Sequence, residues 1–547
     1  MPPLNPEFLR TQSADATWHL VGRWALAFVL CLGAQALLRA PGAEFWHADD
    51  GAHYVSSAMV AHWLSSGLGS PLSVALDYNG HYPLVGIGLW GPAFYGIFGV
   101  AISVLGGGHA VAQILTAAVI ASLAAFTSWG VAQLAPRPMA WAAAALVVVL
   151  PLSVDQSLVF GLDAPVAVAM CGAAFAFGHY LLKGSQAALL VFVALSLVGL
   201  LTKGNALALF LFGPLVLVLT RKPRALLDRR MWLAAIAITA VALPWYIFSY
   251  GLTSRGFRAA WGWEFTSQAL WVNLQLMYAT TGPVLLALAA WGAWSGLTRG
   301  GEAAVSLAGA LAVYLFQSIV PASLNARYLL PMLPFVLLLA VVGAQAVLST
   351  TSARLRPAVT GGLLVLLVLS VVMLTYPSAK AYHGVGGAAA VVRQLLPTDN
   401  RSVLIVGFDV VETTFIAESA MLQPVKPDLY IIRGSRLLGG GGYNNFEYEQ
   451  RFSTLAQVAA ELATYRVPMI VISTADRASR WVHISQVQML LDQPGGGWRI
   501  AWRSNGADDI RIYVHDAYAK QPGSVALVKK LSAPRREALS SPGTQPP

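Results

Sequence analysis

Residues 41–63 read PGAEFWHADDGAHYVSSAMVAHW. A long apolar segment ends just before this stretch and an amphipathic, helix-like run begins within it, so the adjacent carboxylates Asp49 and Asp50 are held at a membrane surface. Carboxylates are expensive to place there, and residues kept at that cost are usually functional.

The rest of the chain supplies the membrane. It has 547 residues, of which 56% are hydrophobic and only 11% charged, with a mean hydropathy of +0.62. A soluble domain carries roughly 25% charged residues, so this is a polytopic membrane protein. Its formal net charge of +10 suits basic cytoplasmic loops and contact with anionic lipid phosphates. No basic run is interleaved with exposed aromatics, so no nucleic-acid partner is expected. Cys31 and Cys171 both fall inside apolar runs, which argues against a disulfide framework or a thiolate metal cluster. No small-residue cleavage site follows the first apolar run, and a retained helix is expected there rather than a signal peptide.

Apolar runs fall near 18–40, 84–105, 110–134, 139–153, 164–182, 187–220, 231–248, 280–297, 303–322, 328–348 and 358–376. A helix needs about 20 residues to span a bilayer, so 187–220 is long enough for two short spans broken at Lys203-Gly204. The basic stretches 221–230 (RKPRALLDRR) and 351–357 (TSARLRP), with Arg137, Lys183 and Arg299, mark the cytoplasmic side. If 84–105 were a full span, Arg137 and Lys183 would face outward. Trp90-Gly91-Pro92 interrupts that segment, and reading it as a re-entrant or juxtamembrane helix leaves about 11 spans with every basic marker inside. Asp49, Asp50, Asp155, Asp163, Lys203 and Arg327 are then all expected on the outer face.

Each of these groups taken alone has a bland role as a cap, a snorkelling chain or a headgroup anchor. Their arrival on one face of one bundle points instead to chemistry on a lipid phosphate. Cations hold the phosphate, and a carboxylate removes a proton from the incoming nucleophile.

Six short motifs then occur in order between about residues 45 and 335: Ala48-Asp49-Asp50-Gly51-Ala52-His53-Tyr54, His81-Tyr82-Pro83-Leu84, Gly161-Leu162-Asp163-Ala164-Pro165, Leu201-Thr202-Lys203-Gly204, Pro244-Trp245-Tyr246, and Arg327-Tyr328 followed by Pro331 and Pro334. This series resembles the protein O-mannosyltransferase and aminoarabinose-transferase superfamily. The chain departs from that family's usual Asp-Glu at Asp49-Asp50, and from its Pro-Pro at Tyr82-Pro83. The resemblance implies a GT-C fold glycosyltransferase that moves a sugar with inversion from a polyprenyl-phosphate donor to an extracytoplasmic glycan, lipid or protein acceptor. It implies a bacterial inner membrane as the location, with the active site on the extracytoplasmic face.

A phosphate leaving group needs little acid assistance, so one general base suffices. On this resemblance Asp49 is the expected base. Asp50 orients the acceptor or tunes its neighbour, since adjacent like charges raise one pKa. Lys203, Arg327 and Tyr328 are expected at the donor phosphate. Asp163 either positions Lys203 or the sugar, or caps its helix beside Pro165. His53, Tyr54, His81, Arg258 and Trp261 are expected at the acceptor and donor loops. In the outer loop 249–279, Trp261, Trp263 and Trp271 with Arg255 and Arg258 fit either an interfacial helix that guides a lipid or an aromatic belt. No cofactor is assigned. His47, His53, His62 and His81 crowd the first outer loop, which keeps a divalent metal open, but no ligand spacing is diagnostic and no metal ligands are assigned.

Three segments are therefore expected: a transmembrane domain over 1–379, an extracytoplasmic α/β domain over 380–517 and a disordered, Pro/Ser/Lys/Arg-rich tail over 518–547. In the second, 403–408, 429–434, 469–474, 498–504 and 510–516 read as strands alternating with helices near 385–396, 411–421, 453–465 and 479–491. That alternation predicts a mainly parallel sheet. No Gly-x-Gly-x-x-Gly follows the first strand, and Gly439–Gly442 reads as a hairpin rather than a phosphate cradle. An acceptor-binding, docking or capping role is expected. Two other classes remain open at this level. A transporter or flippase would also place charges in a bundle, although no internal repeat supports it. An inactive envelope scaffold would leave the intact acidic pair unexplained.

Overall fold

The segment 163–183 is apolar on every face, and a helix of that kind belongs inside a bundle rather than at its rim. In the computed structural model, Asp163–Lys183 is a helix with 72% of its most apolar window buried, against 17% for Arg229–Thr253. The structure describes residues 17–40, 42–45, 47–86, 88–254, 259–440, 448–475, 481–523 and 525–532. Among these, seven helices are long and apolar enough to cross a membrane. The pair Arg137–Val149 and Pro151–Ser157, bent by 61° at Leu150-Pro151, adds a broken span. The helices Gln186–Leu200, Ala208–Leu219 and Arg356–Val372 occupy the remaining expected runs. The break at Lys203-Gly204 is present as a turn and a single 3₁₀ turn between two helices.

The chain packs as two units. Among the described residues the first comprises 17–38, 90–94 and 113–378, and the second 39–89, 95–112 and 379–532. Inside the first, one apolar core joins Ala27 and Cys31 of the helix Thr17–Leu37 to Ala144 and Val147, Phe175, Phe212 and Phe335. A close helix crossing joins Trp263–Arg299 to Leu333–Thr350. A Cβ on Gly292 would collide with the Leu339 carbonyl, and one on Gly343 with that of Leu288. Helices in lipid gain little from hydrophobic burial against each other, and such small-residue contacts let dispersion hold them. Trp263–Arg299 is itself two helices joined at Gly282, whose φ of 79° and ψ of 164° interrupt the helical path before Pro283.

The second unit contains a five-stranded sheet: β1 (Ser402–Val406), β2 (Tyr430–Arg433), β5 (Met469–Ser473), β6 (Trp498–Arg503) and β7 (Ile510–His515), in the order β2-β1-β5-β7-β6. A two-residue ladder, β3 (Gly439–Gly440) with β4 (Glu449–Gln450), forms the expected hairpin at its described ends. The expectation of a mainly parallel sheet needs correction. β1 pairs in parallel with β2 and β5, but β7 pairs antiparallel with both β5 and β6. The reason is the connection: six residues join β6 to β7, enough for a hairpin and too few for the crossover that parallel pairing needs. β1 and β5 are buried along their whole length, as central strands are, whereas edge strand β6 exposes Arg499 and Arg503.

Elements of the first loop belong to this second unit. The helix Ala48–Ser65 lies against Asp409–Leu422 so closely that a Cβ on Gly51 would sit 2.7 Å from the Thr413 carbonyl oxygen. Glu44 accepts from the backbone N–H groups of His383 (2.8 Å) and Gly386 (2.6 Å), and Tyr78 donates to the Pro424 carbonyl (3.0 Å). Residues 525–532, expected within a disordered tail, form a helix whose Lys529 pairs with Asp77 at 2.7 Å. That ion pair and the buried Val528 give the segment the anchor that its composition does not advertise. Residues 533–547 lie outside the described residues.

The second unit should be acid-sensitive at His483. His483 is fully buried beside Tyr448 and Trp481, and burial lowers its imidazole to about 4 from an ordinary 6.5. Between those values the unfolded chain binds a proton that the folded one refuses. Stability is therefore intact above about pH 6.5, declines as pH falls from there towards 4, and levels off below 4, with a loss of roughly 3 kcal/mol in all. Hydrogen exchange of the 482–491 amides, measured from pH 7 to 4.5 and corrected for intrinsic rates, should show this loss, and His483→Gln should flatten it. An exchange free energy that does not change with pH in the parent protein would eliminate His483 as the sensitive group.

Candidate functional site

The first unit brings four of the expected residues together. Asp163 opens its helix, but its carboxylate makes no cap. It accepts instead from Lys203 Nζ at 2.5 Å, while Arg327 Nε lies 3.6 Å from its other oxygen. Lys203 stands in the extended residue between helix and 3₁₀ turn, where the interruption at 201–203 frees its side chain to point across the bundle. Arg327 is placed by Asn325, whose side-chain oxygen caps the 3₁₀ turn Ala326–Met332 by accepting from the Arg327 N–H at 3.1 Å. The Tyr328 ring carries both cations, with Lys203 Nζ 4.6 Å and Arg327 Cζ 5.2 Å from its centroid. Trp90 adds a second aromatic face, 5.8 Å from Lys203 Nζ.

Neighbouring motifs serve this arrangement by holding the backbone at 200–203. Gly91 approaches Leu201 so closely that a Cβ would collide with the Leu201 carbonyl, and Ala93 N–H donates to the same oxygen at 2.9 Å. This docking explains why Trp90-Gly91-Pro92 interrupts the apolar run, with the helix starting at Pro92. Tyr246 reaches in from the helix Arg229–Thr253 and donates to the Leu200 carbonyl at 3.0 Å. Asp163 and Lys203 are 4% and 8% exposed. At that burial each needs the other, because an unpaired charge in such surroundings costs several kcal/mol.

The second unit holds the acidic pair. His47 caps the helix Ala48–Ser65, its Nδ1 accepting from the Asp49 N–H at 3.3 Å, and lies 3.8 Å from the Asp49 and 3.9 Å from the Asp50 carboxylates. The two aspartates differ sharply. The Asp49 side chain is 47% exposed and that of Asp50 is 1% exposed, because neighbouring positions on a helix point about 100° apart. Asp409, at the start of Asp409–Leu422, is a further member of this site that sequence reasoning missed. Burial pushes its carboxyl up, and the charge of Asp49 adds to that shift. Its only local mark is a place in the first turn of a helix, 360 positions from Asp49.

The loop residues are committed to packing. His53 Nδ1 and the Tyr95 hydroxyl are 3.0 Å apart, and the Tyr54 hydroxyl accepts from the Gly108 N–H at 3.2 Å. His81 donates from Nδ1 to the Leu429 carbonyl at 2.9 Å and stacks on Tyr430 at 4.0 Å, and burial lowers its pKa. His62 is held at the Val425 carbonyl. These histidines therefore go to separate partners, and among the described residues no three His, Cys, Asp or Glu side chains are grouped to hold a metal ion. Trp261 is exposed just ahead of the helix that starts at Trp263, and Arg255 and Arg258 lie outside the described residues.

No protein-family model and no curated protein matches the sequence. Solved structures do match the fold. ArnT from Cupriavidus metallidurans in the apo state superposes with a TM-score of 0.57 at 14% identity, over 93% of this chain and all of that one. The same protein bound to undecaprenyl phosphate gives 0.56 at 15% identity with the same coverage. The Archaeoglobus fulgidus oligosaccharyltransferase in the apo form gives 0.55 at 12% identity, over 92% of this chain and 75% of that one. At such identities the likeness is one of fold. The chain has the GT-C fold of these membrane glycosyltransferases, with its expected helical bundle and C-terminal α/β elements.

Proposed function

We propose that the protein is a membrane glycosyltransferase that takes a sugar from a polyprenyl-phosphate donor and passes it, with inversion, to a glycan, lipid or protein acceptor on the extracytoplasmic face of a bacterial inner membrane. The observation that carries this reading is the cluster in which buried Asp163 gathers two cations, Lys203 and Arg327. Two cationic side chains beside Tyr328 and Trp90 suit a phosphate with an apolar tail, and Asp163 keeps both oriented before a donor arrives. The undecaprenyl phosphate bound to ArnT supports the same class of donor lipid.

In the proposed reaction the acceptor heteroatom attacks the anomeric carbon as the bond from that carbon to the phosphate oxygen breaks. The bonding electrons leave with the phosphate, whose developing charge Lys203 and Arg327 neutralise. The acceptor proton goes to Asp49, the more exposed of the two acidic-pair carboxylates. Buried Asp50, with His47 and Asp409 nearby, fixes the start of the helix that presents Asp49. The products are the glycosylated acceptor and polyprenyl phosphate. The α/β elements with the first-loop helices form the acceptor-binding part in this reading.

The test is a transfer assay with purified protein, a panel of radiolabelled polyprenyl-phosphate sugars and cell-envelope fractions. It is repeated in sealed right-side-out vesicles with acceptor outside only, and once with a chelator, which reads any need for a divalent metal. Label should move from one donor to envelope material in both formats. A protein that binds no polyprenyl phosphate and transfers from no member of the panel is not this enzyme.

A further inference from the structure

The helices Asp163–Lys183, Gln186–Leu200, Ala208–Leu219 and Arg229–Thr253 surround a cavity of about 740 Å³ that runs from Leu200 to Arg221. Its walls are apolar, with Phe177, Phe192, Leu209, Phe210 and Leu217 among them. Phe210, also well exposed, and Trp232 stand on the outer surface of the bundle, so the cavity opens where a bilayer supplies hydrocarbon rather than water.

One end of this cavity is strongly basic. Arg221 lines it, and Lys222, Arg224, Arg229 and Arg230 are exposed in the same segment, which also gives the cavity Pro223 and Leu226. The lone carboxylate of 221–230, Asp228, is engaged elsewhere: it caps its own helix by accepting from the Arg230 N–H at 2.9 Å and accepts from the Tyr180 hydroxyl. Arg221 also occupies an unusual backbone site. Its N–H donates to the Val218 carbonyl and that of Lys222 to the Leu217 carbonyl, the pattern of a helix end whose left-handed residue is ordinarily glycine. Arg221 holds φ at 56° there. Its side chain stays exposed, and Nη2 donates to the Leu297 carbonyl at 3.3 Å.

This end is far from the Lys203 cluster. Asp163 begins the helix that carries Tyr180 near its other end, about 25 Å along the axis at 1.5 Å per residue. A phosphate at Arg221 is therefore a second anion, on the opposite side of the bundle from the first.

We propose that the cavity is a site for an anionic phospholipid, with an acyl chain between the four helices and the headgroup on Arg221 and its neighbouring cations. Charge complementarity selects this occupant. Guanidinium groups pair with phosphate through parallel hydrogen bonds, and a basic pocket between transmembrane helices favours a net-negative headgroup over a zwitterionic one. The inference stands independently of the transfer reaction.

Native mass spectrometry of the full chain in neutral detergent tests it, by titration with phosphatidylglycerol, phosphatidylcholine and glycerol phosphate. One phosphatidylglycerol should bind at least about fivefold more tightly than phosphatidylcholine, and glycerol phosphate should not be retained. Arg221→Ala, a surface change, should reduce that binding about fivefold, the factor contributed by one basic residue. Gly213→Phe should weaken both phospholipids, because a Cβ at this lining position meets open space and a ring there fills the cavity without touching a charge. Equal binding of the two phospholipids, retention of glycerol phosphate, or unchanged binding in Arg221→Ala each overturns the proposal. So does a Gly213→Phe protein that keeps phosphatidylglycerol but loses polyprenyl phosphate, since the cavity would then belong to the donor.

Discussion

Asp49→Asn protein is expected to bind its donor lipid normally and to transfer sugar roughly 10²–10⁴-fold more slowly, the usual loss on removing a general base. The asparagine keeps the shape of the side chain and one acceptor oxygen but cannot take up the acceptor proton. Donor affinity should survive because the proposed phosphate contacts come from other residues, Lys203 and Arg327. Asp50→Asn provides the contrast. Asp50 is 1% exposed against 47% for Asp49, so its substitution should act on the position of the helix start and lower transfer less. Steady-state transfer and donor binding, measured on both proteins, separate the outcomes. Wild-type transfer by a folded, donor-binding Asp49→Asn protein would remove Asp49 from the chemistry. If Asp50→Asn is the more damaging change, the base is the second carboxylate, and the Asp-Asp variant has moved the role by one residue.

The second large effect is expected at the cationic cluster. Lys203→Ala and Arg327→Ala should each weaken polyprenyl-phosphate binding by about 1.5–3 kcal/mol, the range for a hydrogen bond to a charged group, which is roughly 10–150-fold in Kd. Asp163→Asn should behave differently. It removes the carboxylate that holds both cations, and breaking a buried pair from one side typically costs about 3–5 kcal/mol of stability. A lowered thermal midpoint is therefore expected, which excess donor partly restores by supplying the missing negative charge. Lipid-binding titrations and thermal unfolding in detergent, with and without polyprenyl phosphate, distinguish the two kinds of loss. Unchanged donor affinity in both cation variants would return Lys203 and Arg327 to an anchoring role, and the donor-site assignment would fall.

The apolar runs, the interruption at Lys203-Gly204 and the strand segments of the C-terminal part are all features that the sequence determines by itself. Each depends on energies summed over a short window: the transfer of about 20 side chains into lipid, or the alternation and turn residues that bound a strand. The candidate residues were legible for the same reason, since charges in apolar surroundings stand out one by one. What they do there was not. Sequence leaves Asp163 as either a helix cap or a partner of Lys203, and only the turn that extends Lys203 across the bundle sends the carboxylate to the lysine. Strand order is likewise tertiary. β7 enters between β5 and β6 and turns the expected parallel sheet into a mixed one. The first-loop helices, written as part of a membrane domain, pack with the C-terminal elements through Gly51 on Thr413 and His81 on Tyr430. Those contacts, and the approach of Asp409 to Asp49, join residues about 350 positions apart. Their free energy comes from shape and charge matching between surfaces that exist only once each element has folded, so no local pattern in the chain encodes them.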